Sequence, residues 1–215
     1  MSDEAAMREY LNVRRDAKRN IQNVLDVRAF RRQQDATRRA LGVKARLAGT
    51  KAPRVRLPEV DDVFLPQFEN EKLHRRRFLV LDGGSGFGKT EFARALARTP
   101  VSYIELNCSH TEHVDLRAFS PDEHDLIIWD ECPASLCLKY KKLFQGQATE
   151  VQLGLSATSC AAYSVFVWNV KMVVCSNLWQ LQLRTLCQED ALWLQLNSIY
   201  VHVTAPLWRS ALGGD

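Results

Sequence analysis

The residues Gly83-Gly84-Ser85-Gly86-Phe87-Gly88-Lys89-Thr90 fit the spacing G-x-x-x-x-G-K-T, and with their flanks they constrain the fold more than any other part of the chain. The apolar run Phe78-Leu79-Val80-Leu81 before them predicts a short buried strand. Thr90 to Arg98, with Phe92, Ala93, Ala95, Leu96 and Ala97, predicts a helix after them. Glycines let a backbone wrap around an anion, so that successive N–H groups and the positive end of the following helix point at it. This order of strand, loop and helix predicts a phosphate cradle over residues 83–90. In it Lys89 reaches the outer phosphates of a nucleotide and the Thr90 hydroxyl binds Mg²⁺.

About forty residues on, Asp125-Leu126-Ile127-Ile128-Trp129-Asp130-Glu131 reads as an apolar strand ending in two acids. Parallel α/β sheets bring strand ends to one crevice. There Asp130 would hold Mg²⁺ through water, and Glu131 would orient and deprotonate an attacking water. Val101–Leu106, Val170–Cys175 and Ser198–Val203 predict three more strands, and Leu136–Phe144 a helix. Val151–Leu155 and Ser164–Trp168 predict a hairpin around Ser156-Ala157-Thr158-Ser159. The expected fold is α/β, with a mainly parallel five-stranded sheet in a body over 78–215.

The formal charge of +4 conceals a division of the 215 residues. Residues 1–56 hold 15 Lys and Arg against 6 Asp and Glu, a net of +9, whereas 78–215 hold 10 against 14, a net of −4. Residues 2–41 lack Pro and Gly, open on Ser2-Asp3-Glu4 as a helix start, and carry Met7, Tyr10, Leu11, Ile21, Val24, Leu25 and Phe30 at partly helical spacing. A basic helical extension over 1–56 is therefore expected, either meeting a polyanion such as nucleic acid or presenting a solvated face. Three prolines between Lys51 and Pro66, with the acids Glu59, Asp61 and Asp62, suggest an extended linker there, and 57–77 is the expected linker. The six cysteines show no C-x-x-C spacing, and no secretory pattern follows Met1, so an intracellular, reducing setting is expected. Cys108, His110 and His113 lack a suitably spaced fourth metal ligand. The longest apolar region, Val165–Val174, is interrupted by Asn169 and Lys171 and falls short of the about 20 residues that span a bilayer.

The phosphate loop, then Asp130-Glu131, then a strand ending in Ser176-Asn177 resemble, in this order, the A, B and C motifs of superfamily 3 helicases. The first two correspond to Walker A and Walker B. The similarity, over about residues 65–205, is greatest to the helicase half of the replication-initiator (Rep) proteins of small circular single-stranded DNA viruses and to Rep-like copies in cellular genomes. It implies a three-layer, AAA+-like P-loop NTPase domain that hydrolyses ATP with Mg²⁺. Asn177 would be a polar sensor of the γ-phosphate and the lytic water. The stretch 139–168 would hold a hairpin contacting single-stranded DNA or RNA, and the chain would assemble as a ring of identical subunits.

Two departures narrow the resemblance. The endonuclease of Rep proteins needs a His-apolar-His motif and a nucleophilic Tyr, but the first 77 residues hold only His74, and Tyr10 stands without such a pair, so nicking is not expected. The family's arginine finger precedes the strand after motif C, where this chain reads Leu196-Asn197-Ser198-Ile199. Arg184 and Arg209 are the only arginines between 143 and 215, and Arg184 is the expected substitute. The expected catalytic set is thus Lys89, Glu131, Asn177 and Arg184. Two other classes stay open: a small-substrate kinase, for which the C-terminal half is poor in lid arginines, and a nucleotide-binding interaction module without turnover.

Overall fold

The computed structural model describes residues 54–110, 113–154 and 162–208. The expected helices within 1–53, the hairpin turn Ser156–Ser159 and Arg209 lie outside the described residues.

Seven strands are present among the described residues: β1 (Phe78–Gly83), β2 (Tyr103–Asn107), β3 (Leu126–Asp130), β4 (Glu150–Leu153), β5 (Tyr163–Phe166), β6 (Lys171–Ser176) and β7 (Ser198–Val203). Between them run α1 (Lys89–Arg94), α2 (Ala134–Lys139), α3 (Lys141–Phe144), α4 (Trp179–Leu183) and α5 (Gln188–Asn197). Five strands form one sheet in the order β2-β3-β6-β1-β7, and every pairing in it is parallel. β4 and β5 pair antiparallel as a separate hairpin, with Val151 opposite Val165. The α/β class and the parallel five-stranded sheet are as the sequence predicts.

Every residue of β1 is buried, as a central strand requires. Alternate residues serve opposite faces. Phe78, Val80, Ile127, Trp129, Met172 and Val174 pack into a core with α2, α3, α5 and the hairpin. Leu79, Leu81, Leu126, Ile128, Val173 and Cys175 pack into a second core with α1. Because the chain leaves β1 for β2 at one edge and finally crosses from β6 to β7 on β1's other side, the strand order reverses at β1. The carboxyl ends of such a sheet form a crevice at that point.

Four local readings need correction. The helix after the loop ends at Arg94 rather than Arg98, because its last turn tightens: Leu96 N–H bonds the Ala93 carbonyl at 3.0 Å and Ala97 N–H the Arg94 carbonyl at 3.3 Å. The helix expected over Leu136–Phe144 starts at Ala134 and breaks at Tyr140 (φ −113°, ψ 38°), whose hydroxyl accepts the Val114 N–H at 3.3 Å. The stretch expected as a linker is helical over Glu59–Phe64 and Leu65–Phe68, and Val60 and Phe64 are fully buried in the second core. Arg54, placed by the sequence reading in the basic extension, instead pairs with Trp208 in an antiparallel bridge.

Candidate functional site

The glycines of the loop meet two distinct demands. A side chain at Gly83 would put its Cβ 2.2 Å from the Val203 carbonyl, so the close approach of β1 to the end of β7 excludes one. Gly88 holds φ at +76° and lies under the Trp208 ring, where a Cβ would come within 2.1 Å of Cζ3. From Gly88 the chain turns into α1, with Lys89 and Thr90 at its first positions.

Lys89 is buried, and its ammonium donates to the Gly83 carbonyl at 2.7 Å, the Gly84 carbonyl at 2.8 Å and Asn177 Oδ1 at 2.8 Å. All three ammonium protons are thereby engaged. Burial lowers its pKa, opposed by Cys175 and by the nearby carboxylates of Asp82, Asp130 and Glu131. The Cys175 thiol is itself pushed up to about 12, chiefly by burial, so near neutral pH the opposing charge comes from the carboxylates.

Thr90 Oγ1 donates to Asp130 Oδ1 at 2.8 Å, joining the first turn of α1 to the end of β3. Glu131 follows with φ at +52°, a left-handed conformation that costs a non-glycine residue on the order of 1 kcal/mol or more. Cys132 N–H is tied to the Cys175 carbonyl at 3.2 Å, which holds this turn against β6. Ser85, Gly86, Gly88, Lys89, Thr90, Asp130, Glu131 and Asn177 line one open cleft of about 390 Å³ at the sheet's carboxyl edge. Gly83 and Gly84 contribute carbonyls to Lys89, and the Phe87 carbonyl accepts the Leu207 N–H at 3.0 Å.

Arg184 does not join this group; it is exposed, one residue past α4, and is not among the residues lining the cleft. Asn197 ends α5, where its Nδ2 donates to the Trp193 carbonyl at 2.8 Å. The next residue, Ser198, pairs with Phe78 at the amino end of β1, so Asn197 lies at the sheet edge opposite the cleft.

Trp208 was not among the expected site residues. It lines the cleft at the glycine loop and also an adjoining cavity of about 260 Å³, formed with Arg54, Gly88, Glu91, Phe92, Ala95 and Leu207. The Arg54 guanidinium lies 5.4 Å from the Phe92 ring centroid and is held by Asp61 through a two-point contact. A third cleft, of about 790 Å³, lies beside the hairpin and includes Arg117, Lys139, Tyr140, Lys141, Lys142 and Tyr163. This opening is larger than the cleft at the glycine loop, yet Lys89, Thr90, Asp130, Glu131 and Asn177 converge on the smaller one. Among the described residues no helix is long and apolar enough to cross a membrane, and no cluster of three or more His, Cys, Asp or Glu is arranged to hold a metal ion. No protein-family model matches the chain, and no curated protein matches it.

Proposed function

We propose that this chain is an ATP-binding and ATP-hydrolysing protein of Rep-like, superfamily 3 helicase type that acts on single-stranded nucleic acid. The observation that carries the reading is the meeting of Lys89, the Thr90–Asp130 pair, Glu131 and Asn177 at the carboxyl edge of a parallel sheet, beside a glycine loop. In the proposed complex the Lys89 ammonium exchanges carbonyl contacts for phosphate oxygens, and the loop N–H groups point at the phosphate chain. The Thr90 hydroxyl and Asp130 carboxylate, already 2.8 Å apart, are adjacent hard oxygen donors and suit Mg²⁺. Bound there, the metal supplies neutralisation of developing phosphate charge. Glu131 accepts a proton from the attacking water, and Asn177 orients that water and the terminal phosphate.

The neighbouring cavity supports a nucleotide over inorganic phosphate. Its walls of Trp208, Phe92, Ala95 and Leu207 suit a base, and the exposed indole offers a stacking face. The third cleft combines lysines with two tyrosines, which suits a phosphate backbone carrying unstacked bases. The basic segment 1–56 adds sequence-independent attraction, and a ring of identical subunits is the assembly proposed with this reading.

One observation favours a second reading, a nucleotide-binding module without turnover: among the described residues no arginine lines the phosphate-loop cleft. The test is ATP hydrolysis by the purified full chain with and without single-stranded DNA or RNA. Stimulated turnover supports the motor. Tight ATP binding without turnover supports the module, and no binding overturns both.

A further inference from the structure

The carboxylate of Asp82 belongs to no motif in the sequence, yet it joins two of the loops that carry the proposed site. Asp82 lies in β1 immediately before Gly83, the residue whose carbonyl accepts from Lys89, and is only 4% exposed. Its Oδ1 accepts the Trp179 N–H at 3.0 Å, and its Oδ2 accepts the Gln180 N–H at 3.3 Å and the Tyr200 hydroxyl at 3.0 Å. Trp179 and Gln180 open α4, two and three residues after Asn177. The same turn is closed from the other side by Ser176, whose hydroxyl accepts the Leu178 N–H at 3.2 Å. Asn177 thus sits on a turn whose far side is fastened to β1, while its side chain reaches across to Lys89.

We infer that Asp82 is a positioning residue: by holding the first N–H groups of α4 on the end of β1, it fixes the Asn177 amide at the Lys89 ammonium and at the terminal phosphate. The inference rests on the nucleotide reading for its catalytic consequence, but its geometry stands without a nucleotide. A buried carboxylate that accepts from three donors, two of them backbone N–H groups of one turn, is a geometrically fixed anchor. Replacing it by alanine leaves the α4 N–H groups unpaired and releases the Asn177 turn, and displacement of a positioning group by about 1 Å lowers rates by as much as about a hundredfold.

Two measurements on the full chain test this. In the nucleotide-free protein, the side-chain amide signals of Asn177 in a ¹⁵N-correlated NMR spectrum are expected to move toward those of a free amide in Asp82→Ala. Asp82→Asn, which keeps one acceptor, is expected to be intermediate; signals unmoved in both variants overturn the inference. With ATP, Asp82→Ala is expected to lower kcat about ten- to a hundredfold while KM stays within about twofold. On an Asn177→Ala background it is expected to change kcat by less than about twofold, because both substitutions remove the same interaction. Equal losses on both backgrounds overturn the inference. If Asp82→Ala does not fold, Tyr200→Phe removes one of the three donors and is expected to give the same pattern at smaller size, and unchanged Asn177 signals there count against it. A wild-type protein that binds no nucleotide overturns the nucleotide reading, while the amide signals still decide the role of Asp82.

Discussion

The Lys89 ammonium donates to the side-chain carbonyl of Asn177 at 2.8 Å, across 88 positions of sequence. The cation proposed to meet phosphate is thus turned toward the residue proposed to sense it. The same bond also explains how a buried ammonium stays solvated by protein: its desolvation is offset by three acceptors and by nearby carboxylates.

That arrangement separates binding from chemistry. Lys89→Ala would remove the charge-assisted bonds proposed to phosphate, worth about 1.5–3 kcal/mol each, so ATP affinity is expected to fall at least about tenfold. Glu131→Gln keeps those bonds and removes the proton acceptor, so affinity is expected to hold while hydrolysis falls about a hundredfold or more. Titration with a fluorescent ATP analogue, together with phosphate release, reads both. Undiminished turnover in both variants rules out this site.

Trp208 supplies the second test of the nucleotide. Its indole lies over Gly88 between the two cavities and is 45% exposed. Stacking of a base on an aromatic ring contributes about 1–3 kcal/mol, so Trp208→Ala is expected to weaken ATP binding by about five- to a hundredfold. Inorganic triphosphate, which has no base, is expected to bind both proteins equally well. Equal weakening for ATP and triphosphate would show that Trp208 supports the loop and not a base.

The amino edge of the sheet has its own carboxylate anchor, and it sets a pH dependence. Burial pushes the Asp125 carboxyl up, but Lys171 at 2.6 Å, Ser102 at 2.6 Å and the Arg98 N–H at 3.1 Å outweigh it and hold the group below its ordinary value of 3.8. The depressed value means that the folded protein binds the proton less readily than the unfolded chain. The stabilisation is therefore present above the ordinary value and is lost as pH falls through the folded one. Asp125→Asn is expected to cost about 1–3 kcal/mol at neutral pH and to flatten the acid limb of stability. Urea denaturation at about pH 7 and again at about pH 3 checks the sign. A difference that grows toward acid would contradict it.

The basic extension is best tested by deleting residues 1–50, which leaves Arg54 on Asp61 and Phe92. For every phosphate that the extension neutralises, the deletion is expected to reduce the log–log salt slope of nucleic-acid binding by about 0.7 on single strands or about 0.9 on duplex. An unchanged slope would assign those basic residues to a solvated face or a protein partner.

How far the chain could be read depends on sequence separation. β1, β3, β6 and β7 are short apolar runs bounded by turn residues, and their interior residues carry the signal locally. Ser198–Val203 coincides with its expected bounds. Loop, acids and Asn177 were legible because each ends such a run. The break at Tyr140 was not: no Gly or Pro marks it, and the partner of the Tyr140 hydroxyl, Val114, lies 26 positions away. Asp82 escaped notice for the same reason, with partners 97 to 118 positions distant. In the expected linker a local signal did exist: Val60 and Phe64 recur at one helical turn, and the flanking prolines and acids masked it.

The last test concerns the cation that the resemblance expects at Asn197. The Asn197 amide closes α5 through the Trp193 carbonyl at 2.8 Å and lies at the sheet edge opposite its own cleft. A finger at this position therefore serves only a neighbouring copy. Under the proposed reading, without one the developing charge on the γ-phosphate would be stabilised only by Lys89, the metal and loop N–H groups, and turnover is expected to be slow even in an assembled ring. Asn197→Arg is expected to cost about 0.5–1.5 kcal/mol of stability by removing the amide's hydrogen bond to Trp193, yet to raise turnover where subunits assemble. Arg184, exposed just past α4, is the alternative donor, so Arg184→Ala is expected to lower turnover at least about tenfold with ATP affinity unchanged. Sedimentation fixes the oligomeric state under which the rates are compared. A fast enzyme indifferent to Arg184→Ala draws its cation from elsewhere, and a strictly monomeric one excludes a finger in trans.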